Sequence, residues 1–199
     1  AWTWGQVVAG APVQGFIGLG ALAGFAVALV TVFKKAWAPI TAPLYAGLEG
    51  LALGGISAML ERSYPGIAIQ AVTLTFGVLA ALLIAYTSRL IPVTQNFRLG
   101  VAAATGGIVL VYVASFVLGF FGIRMPFLHD SGPLGIGVSL VIVVIAALNL
   151  ALDFDFIEQG AQRNLPKYME WYAAFGLTVT LVWLYLEIIR LLAKLRSRR

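Results

Sequence analysis

An all-α, polytopic transmembrane helical bundle is the fold class this sequence predicts, on three observations. Of its 199 residues, 61% are hydrophobic and only 11% are charged, with a mean hydropathy of +0.96. Soluble domains carry about 25% charged residues, so there are too few charges here to cover a surface facing water. The apolar runs are continuous over roughly 20 residues, the length that crosses a bilayer as a helix. They do not alternate residue by residue, which argues against a β-barrel.

Each element follows from the punctuation between apolar runs. Residues 1–14 hold two Trp and Pro12 and read as a lead-in or as the remnant of a first helix. The first span is about 15–33, rich in Gly and Ala, and stops at Lys34 and Lys35. The second is about 39–60, with Pro39 at its start, where a missing N–H is harmless, and Glu61-Arg62 at its end. The third runs from Pro65-Gly66 to about Ser88, and a polar loop with Arg89, Pro92, Asn96 and Arg98 follows. The fourth is about 99–122, ahead of a short loop with Arg124, Pro126, His129 and Asp130. The fifth starts near Pro133 and is free of charge until Asp153, and the sixth runs from after Pro166 to about Leu195. One transmembrane domain over 15–195 with six spans therefore accounts for the chain, and 196–199 form a basic tail. The chain opens on Ala, with no cationic stretch before the first apolar run, so no signal peptide is expected. A helix upstream of residue 1 stays open.

Composition also excludes chemistry. There is no cysteine, hence no disulfide, thiolate metal site or thiol nucleophile. His129 is the only histidine and makes no zinc site by itself. The serines lack a His partner at suitable depth, so no triad is visible and an enzyme is not expected. No cofactor is indicated, because no GxGxxG stretch sits between a strand and a helix. The net charge of +5 lies largely in Lys194, Arg196, Arg198 and Arg199, a tail suited to an anionic lipid surface rather than to nucleic acid. Recurrent small residues, as in Gly15-Gly18-Gly20-Gly24, permit close packing between spans. Lys34, Lys35, Arg89, Arg98, Arg163 and Lys167 fall on one membrane side, here the loop side. Arg62, Arg124 and the basic tail fall on the other, the tail side, and the positive-inside rule is close to a tie.

The carboxylates carry the functional signal. Ionisable side chains within spans are expensive and mark pathways or proton-sensitive sites. Residues 149–190 hold five of the eight acids: Asp153, Asp155, Glu158, Glu170 and Glu187. Glu49 lies near the middle of the second span, where it either forms one interhelical hydrogen bond or lines a pathway. At roughly 1.5 Å rise per residue, Asp153, Asp155 and Glu170 reach similar depth near the loop side, where Lys34 and Lys35 also end the first span. A Lys–Asp pair there could close a pathway and open when the acid is protonated. The alternative is ordinary interfacial charge with snorkelling lysines, favoured for Asp155, Glu158 and Lys35. Glu187 lies towards the tail side with Arg190 three residues on, a natural ion pair. Thr178 and Thr180 are expected to bond their own backbone, and Trp171, Trp183, Tyr168 and Tyr185 fit an aromatic belt.

Four stretches bring a family into view: YAGLEGLALGGIS (45–57), YPGIAIQAVTLTFG (64–77), LALDFDFIEQGAQ (150–162) and PKYMEWYAAFGLTVTLVWLYLEIIRLLAKL (166–195). In these the chain resembles the Bax-inhibitor (transmembrane Bax inhibitor motif) family, in its bacterial YccA-like branch. The resemblance implies seven helices, six around a central C-terminal one, so the first would precede residue 1 or be reduced to 1–14. It also implies a pH-sensitive calcium leak governed by two aspartates on the last two helices, one of them latched by an arginine. Asp153 in LALDF matches the first aspartate, and Lys34 falls where the arginine would be, keeping its charge but not its bidentate geometry. For the second acid, LYLE (184–187) assigns Glu187, whereas depth assigns Glu170. On this reading Asp153 is the gate, Lys34 its latch, Glu170 or Glu187 the coupled acid, and Glu49 a pathway carboxylate. Asp153 and Glu170 would then be candidate contacts for permeant Ca²⁺. The protein is expected in the bacterial inner membrane. The rival reading is a non-enzymatic modulator packed against a membrane protease or a larger membrane complex.

Overall fold

The computed structural model describes residues 2–8, 14–122 and 132–198, which form seven α-helices and no strand. The expected loop of Arg124, Pro126, His129 and Asp130 lies outside the described residues. A short helix, α1 (Trp2–Val8), precedes six long ones: α2 (Gln14–Phe33), α3 (Ala38–Ser63), α4 (Ile67–Thr87), α5 (Gln95–Phe120), α6 (Pro133–Gln162) and α7 (Tyr168–Ser197). These six are long and apolar enough to span a membrane, as the hydropathy predicts. The lead-in differs from a simple interfacial segment. Thr3 is fully buried and donates to the Leu51 carbonyl at 2.8 Å, and Val7 packs on Ala58, so α1 runs along α3 in the same direction.

The helix ends are set by local chemistry. A single-turn 3₁₀ segment, Lys35–Trp37, separates α2 from α3. Pro39 sits in the first turn of α3, and Pro133 opens α6. The Thr94 hydroxyl caps α5 by accepting from the Phe97 N–H at 3.2 Å. Glu61 closes the α3–α4 turn: its carboxylate accepts from the backbone N–H of Gly66 and, at 3.0 Å, of Ala68. Gly66 has φ 81°, a left-handed conformation that glycine adopts without a Cβ clash. Arg89 and Asn164 take the same region just past α4 and α6, and the next N–H reaches back to Ala85 and Gly160 respectively.

Helix α7 is the centre of the bundle, as the resemblance implies. It packs on α6, α3 and α4, while α2 lies on α3 and α5 lies on α6. Its core face carries Leu184, Ile188 and Ile189, which meet Ile67 and Ala71 of α4 and Ala146 and Leu150 of α6. Lipid tails are as apolar as these side chains, so close packing rather than water exclusion holds the helices together. The α2–α3 seam is the tightest case. A Cβ on Gly20 would lie 3.0 Å from the Leu48 carbonyl oxygen and 3.3 Å from the Ala52 nitrogen, both backbone atoms that cannot give way cheaply. Replacing Gly20 by Val is therefore expected to lower stability by about 1–3 kcal/mol. A thermal melt in mild detergent checks this, with Gly47→Ala as the control, because a Cβ there meets nothing within 4 Å.

Candidate functional site

Four helices line an open cavity of about 720 Å³ whose described lining residues include two carboxyl groups and no basic side chain. Helix α3 contributes Tyr45 and Glu49, and α6 contributes Asn149 and Asp153 one turn apart on the same face. Helix α7 supplies Tyr172, Gly176 and Thr180, and α2 supplies an apolar wall through Phe25, Leu29 and Val32. Val32 and Tyr172 lie near the loop-side ends of their helices, so the cavity starts near that surface. Glu49 lies roughly 17 Å deeper along α3, at the rise of a helix. Along α7, past the last lining residue Thr180, come the buried apolar residues Leu184, Ile188 and Ile189.

Glycines make room for both acids. The Glu49 carboxyl lies against α2, with Oε1 2.9 Å from where a Cβ on Gly24 would stand. Asp153 Oδ1 is 3.8 Å from the corresponding point on Gly176. Asp153 Oδ2 is buried and has no hydrogen-bond partner, and Thr180 faces the same carboxyl. The Asn149 amide donates to Thr105 Oγ1 and to the Ile145 carbonyl, each at 2.8 Å, which leaves its oxygen as an acceptor. The titratable groups around the cavity are thus Glu49 and Tyr45 on α3, Asp153 on α6 and Tyr172 on α7. Such a lining offers oxygen acceptors and negative charge, which suits a cation.

The remaining acids are placed differently. Asp155 faces outward to Arg98 at 2.9 Å and accepts from Gln159 at 2.7 Å. Glu158 accepts hydrogen bonds from the Tyr86 hydroxyl and from Gln162. Glu170 is exposed and lines a separate cleft with Asn164 and Met169. Glu187, only 2% exposed, accepts from Tyr112 Oη at 2.8 Å and pairs with Arg190 at 3.0 Å. The structure therefore brings Asp153 together with Glu49, and not with Glu170 or Glu187. Nor does Lys34 reach Asp153: its ammonium lies over the Trp37 ring, 4.6 Å from the centroid, and that of Lys35 lies over Tyr172 at 5.2 Å. Among the described residues no group of three or more His, Cys, Asp and Glu could hold a metal ion.

Sequence reasoning gave no role to Asn149 and Tyr45, and read Gly24 as a packing glycine and Thr180 as bonded to its own backbone. Thr178 does bond its own helix, at the Ala174 carbonyl, but Thr180 turns to Asp153 instead. An available signal was spacing: Asn149 and Asp153 differ by four, and Gly176 and Thr180 by four, so each pair shares one helix face.

Residues 1–197 match the family model described as Bax inhibitor 1 like. The chain belongs to the Bax inhibitor 1 like family. It is an integral multi-pass membrane protein of that family, and its central C-terminal helix is the one the family resemblance calls for. No curated protein and no solved structure matches the chain.

In this Bax inhibitor 1 like protein Glu187 is held as a structural acid. Glu187→Ala is expected to cost on the order of 2 kcal/mol in denaturation followed in mild detergent, since it leaves the Tyr112 hydroxyl without its acceptor and Arg190 with the Tyr112 oxygen alone. The loss stays below that of a fully buried pair because the Arg190 side chain is 44% exposed.

Proposed function

We propose that this protein is a pH-sensitive cation leak of a bacterial plasma membrane, with calcium as the permeant ion and Glu49 and Asp153 as the controlling acids. The observation that carries the reading is a cavity with two carboxyls, no basic group among the described residues of its lining, and one buried carboxyl oxygen without a partner. Calcium takes oxygen ligands from carboxylates, amide carbonyls and hydroxyls, and Asp153, Glu49, Asn149 and Thr180 offer that set. The ionised pair attracts a divalent cation from the loop side, and protonation removes the attraction. Passage to the tail side requires the buried apolar residues further along α7, Leu184 and Ile188 among them, to part.

This mechanism fixes the sign of the pH effect. With Lys34 resting on Trp37, acid has no latch to release and acts on the carboxyls themselves. Calcium flux into proteoliposomes is expected to fall between about pH 8 and about pH 6. Asp153→Asn and Glu49→Gln are each expected to reduce flux by about tenfold or more and to flatten its pH dependence. Lys34→Ala is expected to leave the pH profile in place. Absence of flux, or flux indifferent to both acid substitutions, ends the reading.

A second reading is a non-enzymatic modulator that packs against a membrane protease or a larger membrane complex. It draws on α5, whose one buried residue is Val101 and whose exposed side presents Leu110, Phe116 and Phe120. A stable partner after mild extraction, lost on replacing Leu110 and Phe116 by Ala, would favour it. Extraction as a lone chain would count against it.

A further inference from the structure

A second cavity, of about 450 Å³, lies on the opposite side of α7, between α1, α3, α4 and α7. Its size is within the range of small-molecule sites. It is walled by Leu53, Val72, Phe76 and Val182, with no charged residue among the described residues of its lining. Val72 and Phe76 are 39% and 60% exposed, so its mouth faces the lipid-exposed surface of α4. Four hydroxyls line it: Ser57, Thr75, Thr178 and Tyr185.

Their protons can be followed one by one. Thr75 donates to the Ala71 carbonyl at 2.8 Å, and Thr178 to the Ala174 carbonyl at 2.7 Å. Ser57 donates to the Leu53 carbonyl at 2.6 Å, so its 2.5 Å contact with Tyr185 has the tyrosine as donor. A hydroxyl has one proton, and all four are engaged, which leaves only acceptor lone pairs for a guest. Among the described residues of the lining, Trp4 alone brings a side-chain N–H, and it packs beside Ala58, next to Ser57. A fitting guest is therefore largely hydrocarbon and uncharged, with a hydroxyl to donate and a carbonyl to accept from Trp4. Ser57 lies six residues before the end of α3, roughly 9 Å inside the tail-side end of the span. That is a depth for the glycerol end of a lipid without a phosphate.

From this complementarity we infer that the cavity is a lateral binding site for a glyceride with a free hydroxyl, a diacylglycerol, entering from the bilayer between α1 and α4. Its hydroxyl donates to the Ser57–Tyr185 oxygen pair, its ester carbonyl accepts from Trp4, and an acyl chain lies along Val72 and Phe76. The site is separate from the two-carboxylate cavity and does not depend on the cation reading. Because Ser57 and Tyr185 tie α3 to α7, occupancy bears on the two helices that also carry Glu49 and Thr180.

The experiment uses the full chain in phosphatidylcholine vesicles with a diacylglycerol carrying a photoreactive diazirine on one acyl chain. Irradiation and peptide mapping are expected to place adducts on the segments containing Trp4, Phe76 and Val182. Unlabelled diacylglycerol is expected to compete about fivefold better than its O-methyl ether, the loss of one neutral hydrogen bond. Tyr185→Phe is expected to weaken labelling by a similar factor, and the competition with wild-type protein tests the same bond without any substitution. Equal competition by the methyl ether or by a sterol would show a cleft that takes any hydrocarbon and would overturn the proposal. Labelling concentrated on α5, or spread over every span, would overturn it as well.

Discussion

A carboxylate inside a bilayer has to find its donors within the protein, and most of this structure is arranged around that requirement. Glu61 finds two backbone N–H groups at the start of α4. Asp155 finds Arg98 and Gln159, Glu158 finds Tyr86 and Gln162, and Glu187 finds Tyr112 and Arg190. Each of these acids joins helices or closes a turn. Glu49 and Asp153 are placed differently: they share a cavity with no basic side chain among its described lining residues. Two carboxyls in one cavity, one of them with a buried oxygen that has no partner, are what make it the candidate site.

Helix α7 makes both cavities possible. One of its faces carries Gly176 and Thr180 towards the acids, and another carries Thr178 and Tyr185 towards the apolar pocket. Between them Leu184 and Ile188 pack into the core. The helix is thus a partition as well as a hub. Small residues keep the seams narrow elsewhere, most visibly at Gly20, where the α2 and α3 backbones meet. The same device has a second use at Gly24, where the missing Cβ leaves space for a carboxyl oxygen instead of a neighbouring backbone.

The helices were legible because a spanning run announces itself by length and hydropathy, and the prolines and charges between runs mark where each must end. Asp153 was legible because a charge within such a run is conspicuous. Its partner was not. Depth along the helices put Glu170 level with Asp153, but depth says nothing about azimuth, and Glu170 points away into another cleft. Lys34 was expected to seek a carboxylate, yet an exposed ammonium at the helix end finds the adjacent Trp37 ring first. Thr180 was expected to bond its own helix, as Thr178 does, and burial against α6 gave it a different neighbour.

Six segments of this chain that can span a membrane, and the residues that carry charge into them, were readable in the sequence alone, because transfer free energy depends on composition and is additive along the chain. Tertiary structure alone decided which of those charges meet. Meeting depends on the rotation of each helix about its axis and on how closely neighbours approach, and both are set by packing between segments more than a hundred residues apart, as Glu49 and Asp153 are.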